Sequence, residues 1–337
     1  MMEALLYEKL RDGQVQCRTC NHFCKINPGK RGICNVRENQ AGTLVSLVYD
    51  QVIATSCDPI EKKPIFHFKP GSLSYSIATV GCNFKCQFCQ NSDIAQMPSD
   101  RKGMIQGKKI RPETIVEQAL AAGCQSIAYT YTEPSVYFEL AYETAKLARA
   151  NNLANIFVTN GYMSADLILL MTPFLDAANV DLKAFDDRFY QTYCRARLEP
   201  VKQTLRLMKK AGILVEVTTL LIPGLNDDPK DLTNMARFIA NDLGCDTPWH
   251  ISRFHPSYRM TDIGATPISS LERACKIGKK EGLYHVYTGN VPGLASENTH
   301  CPMCGTRVVK RVGYTIENYL KEKGTCPECD TRVVGIY

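Results

Sequence analysis

Gly81-Cys82-Asn83-Phe84-Lys85-Cys86-Gln87-Phe88-Cys89-Gln90-Asn91 places three cysteines at the spacing C-x3-C-x2-C. Directly before it runs Ser74-Tyr75-Ser76-Ile77-Ala78-Thr79-Val80, a short, apolar stretch that reads as a strand, so the cysteines sit on the loop leaving it. Three thiolates fall one short of the four that fully ligate a cubane [4Fe–4S] cluster. One iron would stay open to another ligand, by the logic that separates catalytic from structural zinc sites. The plain alternatives are three buried thiols on a tight turn, or part of a zinc site. The preceding strand favours the cluster.

Working outward, strand-like and helix-like segments alternate. The strand candidates are Tyr75–Val80, Ser126–Tyr131, Asn155–Thr159, Ala178–Leu182, Leu214–Leu221, Trp249–Phe254 and His285–Thr288. Amphipathic stretches lie between them at Pro112–Ala122, Ser135–Ala150, Ser164–Met171, Val201–Ala211, Pro229–Leu243 and Pro267–Glu281. Gly123, Gly212, Gly244 and Gly282 follow four of these as helix stops. The alternation predicts an α/β fold, a partial or full parallel (β/α) barrel over residues 71–294 with its active site at the carboxyl ends of the strands. Residues 1–70 read as a cysteine-rich amino-terminal module, with a hairpin expected between Leu44–Tyr49 and Gln51–Ala54. Residues 295–337 carry an internal repeat, Cys301-Pro302-Met303-Cys304-Gly305-Thr306-Arg307 echoed by Cys326-Pro327-Glu328-Cys329-Asp330-Thr331-Arg332. Paired knuckles of this kind predict a zinc-ribbon or rubredoxin-like module.

The 337 residues have an ordinary apolar content and a formal charge of +6. No apolar run is long enough to span a bilayer, and the amino terminus lacks the pattern of a signal peptide, so a cytoplasmic location and no membrane partner are expected. The densest basic stretch, Arg101-Lys102 with Lys108-Lys109-Ile110-Arg111, is interrupted by glycines and reads as a solvated loop. Nucleic-acid binding is therefore not expected. Of sixteen cysteines, eleven fall into three clusters with ligand-like spacing, which in a reducing compartment points to metal and cluster ligation. The others, Cys57, Cys124, Cys194, Cys245 and Cys275, read as small buried hydrophobes.

Cys17, Cys20, Cys24 and Cys34 supply four thiolates that suit either zinc or a second [4Fe–4S] cluster, with His22 inside their loop. Cys301, Cys304, Cys326 and Cys329 suit Zn or Fe. A structural Zn is favoured, because a segment this short cannot bury enough core without a staple. Rubredoxin-like iron is the sharper alternative.

Polar groups end the successive strands: Thr132-Glu133-Pro134, Thr159-Asn160-Gly161, Asp181-Leu182-Lys183, Leu221-Ile222-Pro223-Gly224-Leu225-Asn226-Asp227 and Arg253-Phe254-His255-Pro256. Each alone is a weak signal. With the three-cysteine motif and Asp58-Pro59-Ile60-Glu61-Lys62-Lys63-Pro64-Ile65-Phe66-His67-Phe68, the set resembles the pyruvate formate-lyase activating-enzyme branch of the radical S-adenosylmethionine (SAM) superfamily. With both flanking cysteine groups, the whole length resembles the radical SAM component of the AmmeMemoRadiSam system. The resemblance implies that Cys82, Cys86 and Cys89 hold a [4Fe–4S] cluster whose open iron chelates SAM. It implies that Thr132 and Glu133 receive the SAM ammonium, that Lys183 beside Asp181 pairs the carboxylate, and that His255 bonds the ribose. Phe88 would pack near adenine, and Asn160 would lend support. The implied reaction is reductive cleavage of SAM to a 5′-deoxyadenosyl radical, which abstracts hydrogen from a protein glycine or a small molecule. An electron donor such as ferredoxin or flavodoxin is implied with it. Where the activating enzymes carry two glycines before Glu-Pro, this chain has Tyr131-Thr132. Two other readings are a multi-centre iron–sulfur electron carrier without SAM chemistry, and a zinc-binding nucleic-acid adaptor. The first is opposed by the Asp181 and His255 groups, the second by the lack of basic clustering.

Overall fold

A computed structural model describes residues 1–291 and 295–337, so the boundary expected at residue 294 lies outside the described residues. A nine-stranded sheet forms the body: β1 (Gln51–Pro59), β2 (Leu73–Thr79), β3 (Lys108–Lys109), β4 (Ser126–Tyr129), β5 (Ala154–Thr159), β6 (Ala177–Asp181), β7 (Leu214–Leu221), β8 (Trp249–Arg253) and β9 (Val286–Gly289). Its spatial order is β9-β8-β7-β6-β5-β4-β2-β1-β3, with β9 and β3 at the two edges, so pairing leaves the barrel open. From β2 through β4 to β9 every neighbouring pair is parallel, as alternating βαβ units require. Six helices provide the crossovers: α1 (Pro112–Ala121), α2 (Phe138–Ala150), α3 (Ala165–Met171), α4 (Leu198–Lys210), α5 (Pro229–Phe238) and α6 (Ile268–Lys280). Local chemistry fixes their starts. Ser164 caps α3 through the Leu167 amide, and Asp228 caps α5 through the amides of Lys230 and Asp231, with Pro229 at the first helical position. Gly123, Gly212 and Gly282 follow α1, α4 and α6 at φ of 67°, 78° and 93°, the left-handed region that ends helices.

The hairpin expected between Leu44–Tyr49 and Gln51–Ala54 does not form. Thr43–Ser46 pairs with Arg37–Gln40 instead, and β1 joins the main sheet antiparallel to β2. Pairing along nearly the whole of β2 offers more ladder bonds than a short hairpin could. Residues 51–59 therefore belong to the main sheet. Upstream of them lie two small three-stranded sheets.

The segment after β1 runs into the barrel and fills it. Ile60, Ile65 and Phe68 are fully buried against Ala128, Ile156 and Ala177 on β4, β5 and β6, where the two alanines leave room for them. The amides of Phe66 and His67 donate to Glu216 Oε1 on β7 at 2.9 and 2.8 Å, and Asn179 Nδ2 on β6 donates to the Pro64 carbonyl at 2.7 Å. His67 lies 2.7 Å from both the Val334 carbonyl and the Tyr287 hydroxyl. Arg311, from the strand Arg307–Val312, donates to the Phe66 carbonyl at 2.8 Å, and its guanidinium stands 4.2 Å from the Phe66 ring.

Burial lowers the pKa of His67 to about 3, and the neighbouring His285 adds to the shift; burial likewise lowers His285 to about 4. Both folded pKa values lie below the unfolded value near 6.5, so the unfolded chain binds more protons between them. Their contribution to stability is complete above about pH 6.5 and is lost as pH falls towards 4 and then 3. One unit below pH 6.5, each histidine should cost about 1.4 kcal/mol. Denaturant melts at pH 7.5 and 5.5 should therefore show a loss of about 3 kcal/mol from the pair. His67→Gln should remove about half of that loss, and an unchanged difference would show that His67 already carries a proton in the folded state.

Candidate active site

The carboxyl ends of β2 and β4 to β8, with the loop after β9, open onto one cavity of about 320 Å³. Cys82, Cys86 and Cys89 line it from the loop after β2, and all three are free thiols. Their loop is held by backbone bonds to a turn near Cys194: the Lys85 amide donates to the Cys194 carbonyl at 2.8 Å, and the Gln87 amide to the Tyr193 carbonyl at 2.9 Å. Asn160 Nδ2 donates to Asn83 Oδ1 at 2.7 Å and points at Cys82 Sγ at 3.8 Å. Burial raises the pKa of Cys82, and it pushes the Cys89 thiol up to about 12. A hydrogen bond with Cys194, with burial, raises Cys86. These thiols would ionise only with a metal to hold them, and binding would release their protons.

Thr132, Glu133, Asn160, Asp181, Lys183 and Phe88 line the same cavity. The Glu133 carboxylate is engaged: Ser135 N donates at 3.1 Å, Thr159 Oγ1 at 2.9 Å and Asn160 N at 2.9 Å. Burial raises its pKa, opposed by these donors. Lys183 Nζ stands 2.8 Å from Asp181 Oδ2 and 5.8 Å from the Phe88 ring centre. Burial works against its charge, but the Asp181 carboxylate beside it outweighs burial, and its pKa lies well above the ordinary lysine value. His255 lies apart. Its side chain is exposed and does not line the cavity, although the chain just beyond it packs on the cysteine loop, where Ser257 Oγ donates to the Cys89 carbonyl at 3.2 Å and the Arg259 amide to the Gln87 carbonyl at 2.9 Å. Ser252 and Asn290 form that part of the wall instead.

Other lining residues carry chemistry that the sequence reading left without a role. Tyr131 takes a left-handed φ of 61° at a position where the activating-enzyme pattern has glycine. Its hydroxyl donates to Asp58, and Lys63 Nζ lies 4.6 Å from its ring centre. Asp58 also accepts from Lys62 and Lys63 at 2.7 and 2.6 Å. Burial would raise the Asp58 pKa, but the hydrogen bonds from Lys62, Lys63 and Tyr131 hold it well below the usual carboxylate range. Thus Asp58–Lys63, quoted above only as part of a resemblance, anchors one wall of the site. Thr218, in the middle of β7, also faces the cavity, and its buried hydroxyl has no hydrogen-bond partner among the described residues. Period-2 alternation along Leu214–Leu221 was the signal that could have found it.

Three free thiols, a protonated lysine and an unpartnered hydroxyl around one space fit an iron–sulfur cluster with three protein ligands and a charged organic ligand. A larger cavity, about 680 Å³, lies at the opposite ends of the strands, between Gly212–Leu214 and the knuckle residues Pro302 and Thr331; none of the cluster thiols faces it.

In the carboxyl-terminal repeat, the ligand atoms of Cys301, Cys304, Cys326 and Cys329 lie within 4.8 Å of one another. Cys301 Sγ is 3.5 Å from Cys329 Sγ, and Cys304 Sγ is 3.6 Å from Cys326 Sγ. Four thiolates about 2.3 Å from one tetrahedral ion stand about 3.8 Å apart, so this quartet suits a single ion. Of the scattered cysteines, Cys57 is exposed rather than buried, with its sulfur 3.3 Å from that of Cys124.

The sequence profile of the Radical SAM superfamily matches residues 76–238. The uncharacterized protein MJ0808 of Methanocaldococcus jannaschii is 47% identical over 311 residues, covering 92% of each chain. Streptococcus suis SuiB bound to S-adenosylmethionine superposes with a TM-score of 0.52 at 14% identity, over 68% of this chain and 53% of that one. SuiB bound to its precursor peptide SuiA gives 0.52 at 12% identity, over 69% and 52%. The likeness to SuiB is one of fold. No helix among the described residues is long and apolar enough to cross a membrane.

Proposed function

Because the chain belongs to the radical SAM superfamily, we propose that it cleaves SAM reductively at the cavity above β2 and β4 to β9 and abstracts hydrogen from a substrate there. The observation that carries this reading is the meeting of Cys82, Cys86, Cys89 and Lys183 around one cavity. When bound, the [4Fe–4S] cluster and SAM supply a 5′-deoxyadenosyl radical by one-electron cleavage of the sulfonium. The chain's residues hold, charge and shield that chemistry. Cys82, Cys86 and Cys89 would ligate three irons, and Asn160 positions Cys82 through Asn83. Lys183, kept protonated beside Asp181, would pair the SAM carboxylate, since charge-assisted bonds are the strong ones. Glu133 accepts from Ser135, Thr159 and Asn160 and so fixes the shape of the turn, and the ammonium would be received by its remaining acceptor capacity with the backbone carbonyls of the Thr132 turn. Phe88 would line the adenine side. The activating-enzyme resemblance makes a protein glycine the first substrate class to test.

Anaerobically reconstituted protein given dithionite and SAM should release 5′-deoxyadenosine. Intact cluster without that product would favour the electron-carrier reading. Lys183→Met should weaken SAM binding by roughly 1.5–3 kcal/mol, the range for hydrogen bonds to charged groups, or about 10- to 150-fold, with iron content unchanged. Unaltered affinity would mean that Lys183 serves Asp181 alone.

For the carboxyl-terminal quartet we propose one structural Zn, with Cys326→Ala releasing it. Metal binding in so small a segment is folding free energy. Residues from about 295 onward should then become protease-sensitive. Iron in place of zinc, with loss of turnover on a physiological donor, would support the rubredoxin-like alternative.

A further inference from the structure

Cys17, Cys20, Cys24 and Cys34 converge on a second, separate cavity, lined otherwise by Thr19, apolar side chains, Arg37 and the Ser135–Val136 turn. The Cys17 amide donates to the Cys24 carbonyl at 2.9 Å, closing the loop that carries three of the sulfurs. His22, inside that loop, has its Nε2 2.9 Å from the Asn83 carbonyl and so is committed elsewhere. The four cysteines are free thiols.

Two observations say what these sulfurs would hold. The first is size. Among the described residues, only the carboxyl-terminal quartet brings its ligand atoms within 4.8 Å of one another. The amino-terminal sulfurs stand wider, and about 20 Å³ of water-accessible space remains among the lining residues. The centre of a tetrahedral zinc site is about 2.3 Å from each sulfur, too close to admit a water-sized sphere. A cubane places a separate iron behind each sulfur, so its thiolates are spread further apart around a larger core. The second is charge. Arg37 is 2% exposed, and its Nη atoms bond Glu139 at 2.9 and 2.7 Å, but its Nε has no hydrogen-bond partner among the described residues. A buried, unpartnered N–H donor on the wall of a four-thiolate cavity calls for an anionic occupant.

We propose that Cys17, Cys20, Cys24 and Cys34 bind a second [4Fe–4S] cluster, with Arg37 Nε facing its anionic core. The site abuts the first: a Cβ added at Gly81, next to Cys82, would meet Val36 Cγ1 at 2.5 Å and the Cys34 carbonyl at 3.3 Å.

The test counts iron and acid-labile sulfide in the anaerobically reconstituted full chain. Zinc or single iron in the carboxyl-terminal site brings no sulfide, so sulfide reports cubanes alone. Wild type should carry about eight sulfides, four per cluster. The triple variant Cys82→Ala, Cys86→Ala, Cys89→Ala should keep about four sulfides and a dithionite-reducible EPR signal. Adding Cys20→Ala and Cys24→Ala should remove both. About four sulfides in wild type and none in the triple variant would overturn the proposal, as would one zinc bound by Cys17, Cys20, Cys24 and Cys34. If the first site held no cluster, wild type would carry about four sulfides that persist in the triple variant, so failure of the SAM reading is distinguishable. Where the triple variant fails to fold, Cys20→Ala with Cys24→Ala in the otherwise wild-type chain gives the same answer: sulfide should fall from about eight to about four, and an unchanged count would overturn the proposal.

Discussion

Cys86→Ala is expected to abolish 5′-deoxyadenosine formation. With Cys86 gone, two thiolates remain to hold a cubane and present one open iron, and an incompletely held cluster falls apart. Cys194 lies against Cys86, and its sulfur could take the place of the lost one. The measurement should therefore include Cys86→Ala with Cys194→Ala, which should have no residual turnover, whereas the single variant sets the upper limit of rescue by Cys194. Cys82 and Cys89 are expected to behave as Cys86 does. Full turnover in any single variant, together with full turnover in the Cys86/Cys194 pair, would remove these cysteines from the cluster.

Glu139→Gln should destabilise the protein by about 3–5 kcal/mol, the cost of breaking a buried ion pair by removing one partner. Arg37 and Glu139 are 2% and 0% exposed and meet at 2.7 Å, bridging residues 102 apart in sequence. Burial works against the Arg37 charge, and the Glu139 carboxylate outweighs it. Once that carboxylate is neutral, the guanidinium is left buried without its counter-charge. Glu139 also accepts from the Leu5 amide, so the chain around Leu5 should loosen with it. Chemical denaturation of wild type and variant measures the loss. Arg37→Met with Glu139→Leu should recover much of it, since apolar pairs of similar volume replace buried ion pairs at little cost. A loss below about 1 kcal/mol would mean that water reaches the pair, as at a surface bridge.

The features legible in the sequence were those set by local chemistry. The strand at Leu214–Leu221 falls on the predicted residues because its pattern and its flanking Gly212 and Pro223 lie within a short window. The cysteine motif and Lys183 were legible because ligand spacing and strand ends are also local. What was not legible depends on partners far along the chain. The pattern at Gln51–Ala54 suggests a hairpin with Leu44–Tyr49, because nothing nearby reveals that β2 is the partner of residues 51–59. Phe66 and His67 meet Glu216 about 150 residues later, so their filling of the barrel leaves no periodic trace. His255 follows a strand end as the others do, but its side chain is exposed and off the wall, while its neighbours Ser257 and Arg259 bond the cysteine loop. Spacing alone left the amino-terminal quartet open between one ion and a cluster, because that choice depends on how far apart the sulfurs stand once folded.

The filling of the barrel by residues 60–68 also sets how the protein can be cut. The stretch that matches the superfamily, residues 76–238, contains neither that filling nor β8 and β9. Excised alone, it would carry Ala128, Ile156 and Ala177 facing an empty space and Glu216 without its partners. The stretch that the superfamily profile matches is thus smaller than the unit whose interior is filled, and a minimal catalytic fragment must begin upstream of Asp58.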